Sequence, residues 1–97
     1  MTEQSAEEAA SVHARAVVAG DIGASLRGMT PDAWAKTVEI GNTNWDFSSY
    51  ELRPQGRDGD DYIFDITYHR EDGPLSLRER FRKIDGEWKL VDVERVA

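Results

Sequence analysis

One histidine and two carboxylates in this chain are of the types that exchange protons. Glu79 lies in the stretch LSLRERFRKIDGEWKLVD at 75–92, spaced by twos from Leu75, Leu77 and Phe81, so it shares a strand face with apolar side chains. A two-residue turn at Asp85-Gly86 sets Phe81 opposite Leu90 and Glu79 opposite Asp92. His13 interrupts the apolar stripe of an alanine-rich helix. An imidazole facing a carboxylate suits general acid–base transfer. Two opposed carboxylates repel, and burial lifts the pKa of at least one. The same residues equally suit a structural role, a buried histidine satisfied by one carboxylate and holding helix to sheet. Tyr50 and Tyr68 point hydroxyls toward the same face, and Trp34 supplies an aromatic wall. The candidate pocket is therefore His13, Trp34, Tyr50, Tyr68, Glu79 and Asp92, and no residue is assigned as catalytic.

Three helical segments and four strands must position these groups. Ser5-Ala6-Glu7-Glu8 is a capping box, and Ala6, Ala9, Ala10, His13, Ala16 and Val17 then form one helical face up to Gly20. Asp21 caps a short second helix with Ile22, Leu26 and Met29 on its stripe; Gly23 and Gly28 weaken it. Thr30-Pro31-Asp32 starts a third helix, with Trp34, Ala35 and Val38 on one face, and Gly41 to Asn44 end it. From Phe47 the period becomes two. Strands are expected at 47–56, 61–70, 75–84 and 87–95, joined by turns short enough for an antiparallel meander.

The turns fix the register. A three-residue loop at 58–60 pairs Leu52 with Ile66 and Tyr50 with Tyr68, and closing the next loop between Arg70 and Leu75 pairs Tyr68 with Leu77 and Ile66 with Glu79. One face then collects the aromatic and aliphatic core together with Glu79 and Asp92. The other carries Arg53, Arg78, Arg80, Arg82 and Asp65, a ladder of solvated cross-strand pairs. Ile63, Val91 and Val93 lie among these charges. With Arg80 they mark a candidate dimer face.

The chain reads as a single domain over 1–97, with 32% charged residues and a formal net charge of −7. That balance disfavours nucleic acid and anionic membranes. With no cysteine and two histidines, neither a disulfide nor a structural zinc site is expected, and no cofactor is implied. The start, MTEQSAEEAA, lacks the basic and apolar regions of a secretory signal, which points to the cytoplasm.

Helix, helix, helix, then a four-stranded meander, with the break AVVAGDIGASL, the Thr-Pro-Asp start and the hairpin RKIDGEWKLVDVE, resembles the nuclear transport factor 2-like superfamily. This is also called the SnoaL-like or cystatin-like cone fold, and it includes ketosteroid isomerase and polyketide cyclases. The resemblance implies an α+β fold: three N-terminal helices packed on a curved four-stranded antiparallel sheet. It implies a pocket at the wide end of the cone and a homodimer through the outer sheet face. The chain departs from the pattern in its short length and in the missing strand between the second and third helices. No residue matches the isomerase base, so no activity is carried over. Three functions stay open: a small binding or accessory domain for an apolar or amphipathic molecule, an isomerase, cyclase or lyase using a His–carboxylate pair, and a dimerisation module with a filled cone.

Overall fold

Residues 5–40 and 46–96 are described by a computed structural model. The order is α1 (Ala6–Ala19), α2 (Ile22–Arg27), α3 (Pro31–Ile40), β1 (Phe47–Asp58), β2 (Asp61–Arg70), β3 (Leu75–Ile84) and β4 (Glu87–Arg95). The strands form one antiparallel sheet in the order β1-β2-β3-β4. Trp45 and the 41–44 loop lie outside the described residues.

The helix ends follow their capping chemistry. The Ser5 side chain accepts from the Glu8 amide at 3.1 Å, and Gly20 closes α1 in the left-handed region, where a side chain would be strained. Asp21 accepts from the Ala24 amide at 3.1 Å, and Thr30 from that of Ala33 at 3.3 Å. Helix α1 lies across the sheet and touches all four strands. Ala10 and Ala14 are fully buried there, and their small side chains let the helix axis approach the strands closely. Tyr68, Phe81, Ile66 and Leu90 are the largest fully buried apolar side chains beneath it.

Helix α3 buries Ala33 and Thr37, whereas Trp34 and Val38 are exposed, contrary to the face expected from the sequence. The cause is how α3 enters. The Leu90 amide donates to the Gly28 carbonyl at 2.7 Å, and the Thr30 amide donates to the Leu90 carbonyl at 3.0 Å. This parallel bridge at Met29 pins the start of α3 against the free edge of β4, where only small residues fit.

The sheet register differs from expectation in four places, the first a shift between Phe47 and Ser49 at the start of β1. Strand β1 pairs as expected from Tyr50 to Pro54. An extra residue then lets it continue to Asp58, which opposes Asp61, and the bend falls next to Pro54 on this edge strand. Strands β2 and β3 pair two residues further on, Tyr68 with Leu75 and Phe64 with Glu79; a shift of two keeps every side chain on its expected face. On β4 the register slips by one: Phe81 opposes Leu90, but Arg80 opposes Asp92 and Glu79 opposes Val93. Val91 is thus a bulge. Beyond it the faces exchange, so Val93 enters the core and Asp92 turns away from it. The turn itself is as expected, with both Asp85 and Gly86 at positive φ.

Charge pairing organises the outer face. Arg78 makes a two-pronged contact with Asp65 at 2.8 and 3.1 Å. Asp61, only 4% exposed, accepts from Arg80 at 3.1 Å and from Arg82 at 2.9 Å. Both guanidiniums hold its carboxyl below the usual aspartate value.

Candidate functional site

Two of the proton-carrying side chains meet beneath α1. His13 comes from the middle of the helix and Glu79 from the middle of β3, and each is buried almost completely. His13 Nε2 lies 3.9 Å from Glu79 Oε1. The second carboxyl oxygen, Oε2, accepts from the Tyr68 hydroxyl of β2 at 3.5 Å. Between them is a cavity of about 10 Å³, the space of about one water, closed by apolar side chains including Leu77, Leu90 and Val93. A gap of 3.9 Å exceeds a direct hydrogen bond.

Burial sets the charge state of this pair. It pushes the Glu79 carboxyl up to about 8 and the His13 imidazole down to about 4. The Tyr68 hydrogen bond opposes the rise at Glu79 without cancelling it. Burial also holds the Tyr68 hydroxyl well above its ordinary value, with the adjacent carboxylate second. Between about 4 and about 8 the pair therefore holds one proton, and that proton rests on the carboxyl.

Among the described residues, two polar atoms of the pair find no hydrogen-bond partner: Glu79 Oε1, which faces His13, and His13 Nδ1. Nδ1 points the other way, toward Gly28 at the end of α2. A Cβ added at Gly28 would lie 3.7 Å from it, so the glycine leaves room above the ring. The room belongs to a second cavity, a cleft of about 110 Å³ between α1 and α2. Its walls are Ala9, Val12, Ala16, Ala24, Phe81 and Trp88. The Phe81 ring meets the imidazole edge to face, with centroids 6.1 Å apart. His13 thus lies between an enclosed inner cavity and an outer cleft and lines both.

The other candidates lie elsewhere. Asp92, displaced by the bulge, pairs with Lys36 on the surface and accepts from the Val93 amide at 3.0 Å. Its place opposite Glu79 is taken by Val93, which replaces a like-charge contact with an apolar one. Tyr50 joins Ser11 of α1 through a 2.9 Å hydroxyl contact, tying β1 to the helix without lining either cavity. Trp34 is on the rim of α3, away from both. On the outer face Ile63 and Val91 are half-buried, Arg80 is held by Asp58 and Asp61, and Val93 belongs to the core. Gly28 and Phe81 were not singled out by the sequence as site residues. Phe81 follows from its spacing with Glu79. Gly28 carries no sequence signal, because its role arises from the bridge to β4. Among the described residues no group of three His, Cys, Asp or Glu gathers to hold a metal ion, and no helix is long and apolar enough to cross a membrane.

No protein-family model matches the chain, and no curated protein matches it. Among solved structures it is similar to an NTF-2 like protein of unknown function from Burkholderia xenovorans LB400, at 16% identity, with 93% of this chain and 81% of that chain covered and a TM-score of 0.62. The likeness shows the fold: this chain has the NTF2-like α+β architecture.

Proposed function

We propose that the protein is a small-molecule-binding domain whose site is the cleft between α1 and α2. The observation that carries this is the cleft itself, about 110 Å³ walled by Ala9, Val12, Ala16, Ala24, Phe81 and Trp88, with His13 and Gly28 completing its lining. The cleft suits a ring-sized apolar or amphipathic molecule.

The acid–base enzyme has less support. The Glu79 carboxyl lies behind the imidazole in a cavity with space for about one water, where no organic substrate reaches it. The filled-cone reading fits the inner cavity and leaves the cleft unexplained.

Cyclohexanone, methylenecyclohexane and pyrrole are suitable ring-sized probes. Saturating addition of at least one is expected to shift the amide NMR signals of Val12, Ala24, Gly28 and Trp88 together. Gly28 has a negative φ and its added Cβ makes only ordinary contacts, so Gly28→Ala should fold normally. Its methyl group should abolish the shifts by occupying part of the cleft that Gly28 lines. Shifts scattered over the surface, or unchanged in Gly28→Ala, would contradict the cleft as the site.

A homodimer through the outer sheet face belongs to the same proposal. Ile63 and Val91 support it, as apolar side chains set among ion pairs on a face otherwise turned to water. Sedimentation at high micromolar concentration should give twice the chain mass, and Ile63→Lys should return it to the monomer. A monomeric wild type would remove the dimer while leaving the cleft untouched.

A further inference from the structure

Resting on the cleft as a binding site, we propose that it takes small apolar acids, with a ring-sized body lodged between α1 and α2 and the carboxylate set against the Lys83 ammonium at the rim.

The strand register places that ammonium. Side chains two apart share a strand face, and the slip between β3 and β4 falls before Phe81, so Glu79, Phe81 and Lys83 all turn to the helix side of β3. Glu79 is sealed beneath α1, Phe81 walls the cleft, and Lys83 is the next step outward, half-buried close to the turn. Directly across the hairpin from Lys83 stands Trp88, which also walls the cleft. The Lys83 Nζ lies over the Trp88 ring, 5.9 Å from its centre. Attraction between the ammonium and the ring face holds the charge beside the cleft wall. The lysine stem can rest on apolar surface while its charged end stays in water.

Polarity therefore rises from the floor of the cleft to its rim. Phe81 at the floor is 1% exposed, whereas Val12 at the rim is 50% exposed. A molecule with an apolar body and one anionic end matches this gradient. Its body takes Val12 out of water, and its carboxylate meets the ammonium. A cationic end meets Lys83 with like charge. The acidic groups nearest the other walls are offset or engaged. On α1, Glu8 and Arg15 lie about one turn either side of Val12 and carry opposite charges. Asp21 accepts from the Ala24 amide at 3.1 Å. Glu87 pairs at 3.3 Å with Lys89, which reaches the Arg27 carbonyl beside Gly28. Arg80 and Arg82 belong to the opposite sheet face and are held by Asp61. With a net charge of −7 the chain as a whole repels anions, so an acid is drawn to the cleft by the groups at its rim.

Three cyclohexane derivatives of similar shape read the rim: the carboxylate, the neutral carboxamide and the cationic methylammonium. They are followed at neutral pH and low salt through the amide NMR signals of Val12, Ala24, Gly28 and Trp88. Cyclohexanecarboxylate should bind about fivefold more tightly than cyclohexanecarboxamide, and cyclohexylmethylammonium should bind most weakly. The advantage of the carboxylate should shrink at high salt. Lys83→Met keeps the stem and removes the charge, so the carboxylate and the carboxamide should then bind alike. Lys83→Arg should keep the preference. Equal binding of carboxylate and carboxamide by the wild type would overturn the preference for acids and leave the cleft as a site. A preference that survives Lys83→Met would overturn the role of Lys83. Binding of methylenecyclohexane without binding of the carboxylate would likewise overturn the acid class alone. Failure of all of these molecules would overturn the cleft itself.

Discussion

Glu79→Gln should make the fold more stable at pH 8, by about 2–4 kcal/mol, and should leave it nearly unchanged at about pH 4.5. Few substitutions of a buried side chain are expected to stabilise, and this one follows from proton linkage. The unfolded chain releases the Glu79 proton near 4.5, whereas burial holds it in the fold up to about 8. Over that interval the folded state binds more protons than the unfolded one, so stability falls as pH rises. His13 acts in the opposite sense. Its unfolded imidazole gains a proton below 6.5, while the buried ring stays neutral down to about 4. Stability from His13 is therefore complete above 6.5 and lost as pH falls toward 4. The two slopes offset each other between about 4.5 and 6.5, and the Glu79 slope is left alone between 6.5 and about 8. Urea denaturation across this range should show the alkaline decline in the wild type and its absence in Glu79→Gln. Parallel curves for the two proteins would mean that Glu79 is ionised in the fold at neutral pH.

Phe81→Ala should be the most damaging single truncation at the site, with a loss of about 3–5 kcal/mol. Phe81 is 1% exposed and packs edge to face on both His13 and Phe64, with centroids 6.1 and 5.9 Å away. A domain of this size has roughly 5–15 kcal/mol in total, so the variant should be marginal at room temperature. The deletion also opens the cleft wall. Saturating benzene should then raise the midpoint of Phe81→Ala by mass action and affect the wild type less. A loss below about 1 kcal/mol in urea titration would show that the ring is not packed as described.

Most of this architecture was legible in the sequence, for reasons particular to each element. The Ser5 and Asp21 caps and the Asp85-Gly86 turn depend on neighbours a few residues away, so local chemistry settles them. The meeting of His13, Tyr68 and Glu79 on one face was legible because strand parity survives a shift of two. The β2–β3 register was misjudged by two residues and the faces still came out correctly. The bulge at Val91 was hidden, since one extra residue leaves no mark in the alternation. A clue was present all the same: unbroken alternation sets Asp92 directly opposite Glu79 and leaves Val93 in water, and the bulge removes both penalties. The α3 face was misjudged because its docking depends on a tertiary contact, the Leu90 bridge to Gly28 and Thr30.

His13 and Glu79 form a buried neutral pair holding one proton at neutral pH. The most direct measurement is a site-resolved NMR titration of the Glu79 side-chain carboxyl carbon together with the His13 ring nitrogens. The carboxyl signal should move with a midpoint of about 8, and the imidazole should stay neutral until the pH approaches about 4. A Glu79 midpoint near 4.5 with a His13 midpoint near or above 6.5 would instead show a charged or solvated pair and rule out the buried neutral one.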